Sequence, residues 1–232
     1  GDYMNLSKSL EENYNHIKTD FVDCSDFLIR KAKTGNREFL IMVCDGLIDS
    51  LQLSQMVVSP ILRCDEIDID TIKKSITNSV ELNEAETFAD CYYYVMSGFA
   101  VVLVDGEDKA LAFGVQSPPA RSVDVPSNEQ STKAPKEAFV EVLNTNKALL
   151  RKRLKTPHLK LKQIKLASSA PMPCVIAYMD DRADKELVSQ ITLALQRSNL
   201  NTLTDFGTLV PFIDTNMNSM FSDVSSTCLL YT

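Results

Sequence analysis

Leu6, Leu10, Tyr14, Ile17 and Phe21 recur at three- and four-residue steps with polar residues between them, so the chain opens as an amphipathic helix. The period then changes. Asp26 to Lys33 and Arg37 to Cys44 flank Thr34-Gly35-Asn36, which predicts two strands joined by a short glycine turn. The second strand is apolar throughout, from Phe39 to Val43, and is expected at the centre of a sheet covered on both faces. It runs through Asp45-Gly46 into a helix from about Asp49 to Leu62, the strand-turn-helix crossover from which α/β sheets are made. Asp65, Glu66, Asp68 and Asp70 follow as an acidic connector without the glycine and terminal glutamate of a calcium loop. Asp68 or Asp70 is expected to cap a helix over Thr71 to Ser75.

Glu84 to Ser97 reads as a further helix, apolar at Phe88, Cys91, Tyr92, Val95 and Met96 and stopped by Gly98. Tyr92-Tyr93-Tyr94 point in three directions on such a helix, so they divide between core and surface. Phe99 to Val104 and Lys109 to Val115 make a second hairpin around Asp105-Gly106. Ser117-Pro118-Pro119 ends this unit.

A long helix is expected over residues 136 to 155. Pro135 suits its first turn, Glu137 and Glu141 its amino end, and Arg151, Lys152, Arg153 and Lys155 its carboxyl end, before Thr156-Pro157 stops it. Its apolar stripe is Phe139, Val142, Leu143, Leu150 and Leu154, with Asn146 as the polar member. Beyond it the pattern gives an exposed strand at Leu159 to Leu166 and a short buried strand at Cys174 to Met179. An amphipathic helix follows at Asp184 to Arg197, with Leu187, Ile191 and Leu195 inward. Asn199 to Phe206 reads as a strand or turn, Thr208 to Phe221 as a helix broken near Pro211, and Ser222 to Thr232 as a loose tail. The fold class is therefore α/β (α+β). Two small sheet-and-helix lobes, 1–117 and 158–232, are joined by a connector, 118–157, with a long amphipathic helix, an arrangement resembling bilobed ligand-binding domains.

Composition narrows the function. Of 232 residues, 44% are hydrophobic and 24% charged, as in a globular protein. No apolar run approaches the roughly 18 to 20 residues that cross a bilayer, and Gly1 to Asn15 is too polar and acidic for a signal peptide. Cys24, Cys44, Cys64, Cys91, Cys174 and Cys228 are widely spaced with no Cys-x-x-Cys. They read as free thiols of a reducing compartment rather than a zinc site. The net charge of −7 hides a basic run, because Lys147 to Lys165 holds eight Lys or Arg and no acid. Such a run suits either a solvated face or contact with anionic lipid or an acidic partner. Nucleic acid is excluded by the acidity of the remainder and the lack of interleaved aromatic residues.

Catalytic patterns are absent. The two histidines, His16 and His158, have no nucleophile motif beside them and read as surface residues. There is no Gly-x-Gly-x-x-Gly, phosphate loop or Gly-x-Ser-x-Gly. The expectation is a binding protein rather than an enzyme, without metal or cofactor. A cleft between lobes is a common ligand site, and a free amino acid there needs an arginine for its carboxylate and an acid for its ammonium. Arg30, Arg121, Arg151 and Arg153 are candidates for the first role. Asp45, Asp49, Asp124 and Glu129 are candidates for the second, and Asn146 is either a ligand contact or a structural hydrogen bond. The competing reading has Arg121 and Arg151 pairing with Glu129 or Glu141 to lock the connector in place.

Several of these segments together resemble a known family. Arg121-Ser122-Val123-Asp124-Val125-Pro126 through Glu129, then Pro135-Lys136-Glu137-Ala138-Phe139-Val140-Glu141 and the Arg151 to Pro157 end, look like the A subunit of the spore germinant receptors, the GerA family. Asp26 to Arg30, Cys44 to Asp49 and Gly98 to Gly106 are similar to further segments of that family, in the same order, so the resemblance spans most of residues 6 to 215. Ala134 stands where the family favours glycine, and Ala167 to Pro173 lacks its glycine and threonine pattern.

The resemblance implies the extramembrane domain of a nutrient receptor in the spore inner membrane, with the transmembrane part absent. Its partners would be the B and C subunits, further copies of the A subunit, and a small nutrient such as an amino acid or sugar. It would sense or relay nutrient binding to trigger germination. The alternative is a non-sensing assembly domain that holds receptor subunits together, with Arg151, Lys152, Arg153 and Lys155 meeting lipid or a partner.

Overall fold

The apolar run that sequence places at the centre of a sheet is there in the computed structural model, which describes residues 4–35, 37–64, 66–76, 81–117, 139–166 and 172–197. Strand β2 (Arg37–Cys44) lies between β1 (Phe27–Thr34) and β4 (Phe99–Val104), and β5 (Ala110–Gly114) and β3 (Leu82–Ala85) complete a five-stranded sheet of order β1-β2-β4-β5-β3. Every ladder in it is antiparallel, with Ile41 opposite Val102 and Val102 opposite Leu111. The chain after β2 forms α2 (Ser50–Gln52), a π-helical stretch (Leu53–Val58), α3 (Ser59–Leu62) and α4 (Ile69–Ile76). These helices do not return to a parallel strand, because the next strand, β3, joins the far edge beside β5. The class is thus α+β.

Both faces of the sheet are covered, as an apolar central strand requires. Phe39, Val43, Val102, Val104, Leu111 and Phe113 pack with Val57, Ile61, Ile72 and Ile76 on one face. On the other, α1 (Leu10–Asp20) meets β2, and α5 (Phe88–Val95) meets β4 and β5. Local signals start these helices. Ser9 accepts from the Glu12 N–H, Asp68 from Thr71 at 2.6 Å, and Thr87 and Asp90 cap each other at the start of α5. The helix expected from Glu84 therefore begins only after Thr87. Leu82–Ala85 is instead an edge strand whose pairing with β5 outweighs a composition poor in β-branched residues.

By internal packing the described residues form two units. One comprises 4–22, 26–117 and 141–157, the other 23–25, 139–140, 158–166 and 172–197. In the second, β6 (Leu159–Leu166) and β7 (Met172–Met179) form an antiparallel pair with Leu161 opposite Ala177. Asp23–Ser25 adds a short parallel contact along the other edge of β6, with Leu161 N–H donating to Asp23 O and Ser25 N–H to Leu161 O, each at 3.1 Å. Flanked on both edges, β6 is largely buried, whereas β7 is half-exposed, the reverse of the burial expected from sequence. Helix α7 (Lys185–Arg197), capped by Asp184, packs Leu195 against Ile164 and Leu166. Leu187, expected inside, is 51% exposed because α7 meets β6 through its later turns. Asn199 to Thr232 lies outside the described residues.

The phase of α7 can be checked by substitution. Leu195→Ala should destabilise the second unit by about 2–4 kcal/mol, and Leu187→Ala should stay within about 0.5 kcal/mol, in chemical denaturation followed by a probe on β6.

Candidate functional site

Helix α6 (Leu143–Arg153) is the element on which most of the candidate residues depend. It is shorter than the expected 136 to 155. Residues 139–142 are non-helical, and 136–138 lie outside the described residues. Its inward face also differs from the predicted stripe. Lys147, Ala148, Leu149 and Arg151 are buried, while Val142 is 60% and Leu154 44% exposed. Apolar spacing proposes a stripe, but here one polar contact sets the rotation of the helix.

That contact is an ion pair between Arg151 and Asp26, both 1% exposed at the side chain. Arg151 Nε donates to Asp26 Oδ2 at 2.8 Å, Nη2 donates to Oδ1 at 3.1 Å, and Nη1 donates to Thr156 O at 2.8 Å. The fork of the guanidinium matches the carboxylate, a geometry that lysine cannot provide. The Cys44 thiol donates to Asp26 Oδ2 at 3.3 Å, and burial with the Asp26 charge pushes its pKa well up, so the thiol keeps its proton. The Asp45 N–H donates to Asp26 O at 2.6 Å, and Asp45 Oδ2 accepts from Asn144 Nδ2 at 3.4 Å. Next to it, Gly46 has φ +81, and an added Cβ would lie 3.1 Å from Asn144 O and 3.2 Å from the Ala148 Cβ. A glycine at this turn lets α6 lie directly against it.

Arg151 therefore pairs with Asp26, while Glu141, one of the acids expected to lock it, is exposed, and the buried guanidinium is turned away from any lipid or partner surface. Asp45 joins the same cluster. Asp49 spends its carboxylate on α2, accepting from Leu51 and Gln52 N–H at 2.9 and 3.0 Å. Arg30 is exposed on β1, and Asn146 is half-buried in α6. Arg121, Asp124 and Glu129 lie outside the described residues. Lys152 and Arg153 are exposed. Lys155 donates to Ser97 Oγ at 3.0 Å and lies 5.3 Å over the Tyr93 ring, so it acts as a local tether. Sequence reading missed Asp26, Cys44 and Thr156 as members of the cluster. Asp26 opens one of the family-like segments and was the only available signal.

A second polar cluster lies in the β6-β7 unit. Asp180 Oδ1 meets His158 Nδ1 at 2.8 Å, Oδ2 meets Lys160 Nζ at 3.1 Å, and the Asp180 N–H donates to His158 O at 2.9 Å. Asp181 is close enough to converge with His158 and Asp180 on one point, but the Lys160 ammonium already neutralises Asp180 there. Burial pushes the Asp180 pKa upward, and the hydrogen bonds from His158 and Lys160 outweigh it, leaving the carboxyl below its ordinary range. Nearby, Tyr178 donates to Asp23 at 3.0 Å, and burial with that bond raises the phenol to about 12. Cys24, Cys44 and Cys91 are buried and Cys64 and Cys174 half-buried, all as free thiols, while Cys228 lies outside the described residues. No described helix is long and apolar enough to cross a membrane.

Comparison with known proteins follows the same outline. The family model described as "Bacillus/Clostridium GerA spore germination protein" matches residues 15–228. Spore germination protein B1 of Bacillus subtilis (strain 168) is 29% identical over 233 residues, which is 97% of this chain and 47% of that protein. Spore germination protein A1 of the same organism is 27% identical over 205 residues, 88% of this chain and 42% of that protein. The chain thus spans a little under half the length of these relatives. In fold it is similar to the N-terminal domain of the A subunit of the Bacillus megaterium spore germinant receptor GerK3, with a TM-score of 0.67 at 23% identity, covering 89% of this chain and 84% of that one.

Two measurements test the clusters. Arg151→Met strands a buried carboxylate and should cost about 3–5 kcal/mol, and the double change Asp26→Leu with Arg151→Met should recover most of that loss. Denaturant unfolding of the four cycle members checks it. For Asp180, whose folded pKa is depressed, the stabilisation is full above the unfolded carboxyl value near about 4 and is lost as pH falls through the folded value. Asp180→Asn should therefore flatten the acid limb of stability against pH and leave the neutral limb parallel to wild type.

Proposed function

Because the chain belongs to the Bacillus/Clostridium GerA spore germination protein family, we propose that it is the extramembrane amino-terminal domain of a germinant-receptor A subunit and takes part in relaying a nutrient signal. In this reading the full protein sits in the spore inner membrane with B and C subunits, and the nutrient is a small molecule such as an amino acid or sugar. The match to a little under half of each relative supports a domain within a longer protein.

The observation that carries the relay is the buried Arg151–Asp26 pair. A relay requires a segment that moves as one piece with the unit it reports on, since a ligand shifts a conformation only through its differential affinity for two states. Helix α6 satisfies that requirement. Its charged end is buried in the β1-β2 edge, its middle lies on Gly46, and Thr156 closes the clamp. The helix cannot turn about its axis without leaving a carboxylate unpaired.

Assembly is the second reading, favoured by the exposure of Lys152 and Arg153 beside the buried Arg151. The two separate in spores carrying the full-length A subunit. Under the relay reading, Arg151→Lys keeps the charge but loses the fork, and should shift the nutrient response to roughly tenfold higher concentration with receptor abundance unchanged. The pair Lys152→Glu and Arg153→Glu should leave that response alone. Loss of co-purifying subunits in the second variant, with a normal response in the first, overturns relay in favour of assembly.

A further inference from the structure

Strand β1 forms one edge of the five-stranded sheet, and among the described residues its backbone pairs with β2 alone. The hydrogen-bonding phase fixes which of its peptide groups remain open. Asp45 N–H donates to Asp26 O, and on the other side of β2 Asp105 N–H donates to Glu38 O. Carried along the two registers, this turns the backbone groups of Leu28, Arg30 and Ala32 toward β2. Phe27, Ile29, Lys31 and Lys33 therefore present N–H and C=O outward, a row that can pair with another chain. Side chains alternate across that row. Leu28, Arg30 and Ala32 share a face with their cross-strand neighbours Val43, Ile41 and Phe39, which pack with Val57 and Ile61. At the edge the cover stops: Leu28 is 44% exposed, and Arg30 and Ala32 are exposed as well.

Charge decides what such an edge accepts. Phe27–Thr34 holds Arg30, Lys31 and Lys33 and no acid. Lys31 is held by Glu11, whereas Arg30 and Lys33 have no ion-pair or hydrogen-bond partner among the described residues. Like charges along an edge keep copies of the same strand apart, while an acidic strand meets the opposite field. We propose that the outer edge of β1 receives an extended acidic segment of a partner protein as an added antiparallel strand. Arg30 then lies in a pair without mutual backbone bonds, where facing Cα atoms approach to about 4.5 Å and side chains come closest. An aspartate or glutamate of the partner sits opposite Arg30, and an apolar residue two positions away covers Leu28. Main-chain bonds at Phe27, Ile29, Lys31 and Lys33 hold any extended sequence, and the Arg30 and Leu28 pairs supply the choice among them. The surface is local to β1 and does not rest on the relay reading.

The test titrates the 15N-labelled chain with a blocked peptide in which threonines alternate with valine, glutamate and valine, and with its counterpart carrying lysine in place of the glutamate. Saturable shifts and slowed hydrogen exchange are expected at the amides of Phe27, Ile29, Lys31 and Lys33. The lysine peptide should bind about tenfold more weakly. Arg30→Glu, a change at an exposed side chain that leaves the β1-β2 ladder intact, should exchange the two preferences. Absence of saturable shifts, shifts confined to residues outside β1, or equal binding of the two peptides overturns the proposal. A dimer of the unaltered chain in sedimentation, with the same four amides protected in it, also overturns it, because the edge is then filled by a second copy.

Discussion

Two opposite charges taken out of water must satisfy each other almost completely, since each alone is far less stable than it was in solvent. Arg151 and Asp26 meet that demand with two mutual hydrogen bonds, a third from the guanidinium to Thr156 O, and a thiol donated by Cys44. The rest of the site follows from this geometry. Holding Arg151 inward fixes the rotation of α6, and that rotation carries Lys147, one turn earlier on the same side, into the interior. It also leaves Val142 and Leu154 facing solvent. The buried pair adds little net stability compared with an apolar replacement of the same shape. What it contributes is intolerance of any other helix phase.

Alternation along strands was legible because it is a short-range property. The β1-β2 and β4-β5 hairpins have the bounds that the pattern indicates, to within a residue or two, and β2 is central as its continuous apolar run requires. The mistakes share one cause. β3 carries no strong local preference and exists through its partner β5. The burial of β6 and β7 is inverted because Asp23–Ser25, distant in sequence, covers the outer edge of β6. Tertiary neighbours overrule the local signal in both places.

The site was legible in its residue types and illegible in its pairings. Arg151 was one of four arginine candidates for a ligand carboxylate, yet its partner lies 125 residues earlier. Glu141, nearer in sequence, is exposed. Nothing in a single sequence distinguishes Asp26 from the many other acids of an acidic chain. The family-like segment beginning at Asp26 pointed to the right place without giving the reason, which is the carboxylate itself.

The basic run from Lys147 onward divides into separate uses. Arg151 neutralises a buried acid, Lys160 pairs with Asp180, Lys162 pairs with Asp23, and Lys155 is tied to Ser97. Lys152 and Arg153 are exposed on α6. A run of like charges would repel itself and raise the cost of a compact state. Distributing it among buried acids, edge pairs and a hydroxyl lets this stretch cross from one unit to the next without accumulating that repulsion. The same distribution makes the end of α6 stiff: Arg151, Lys155 and Thr156, three of the six residues before Pro157, are held by bonds to other elements or to the helix's own exit, so a displacement of the helix must be shared by the start of β1, which Asp26 precedes.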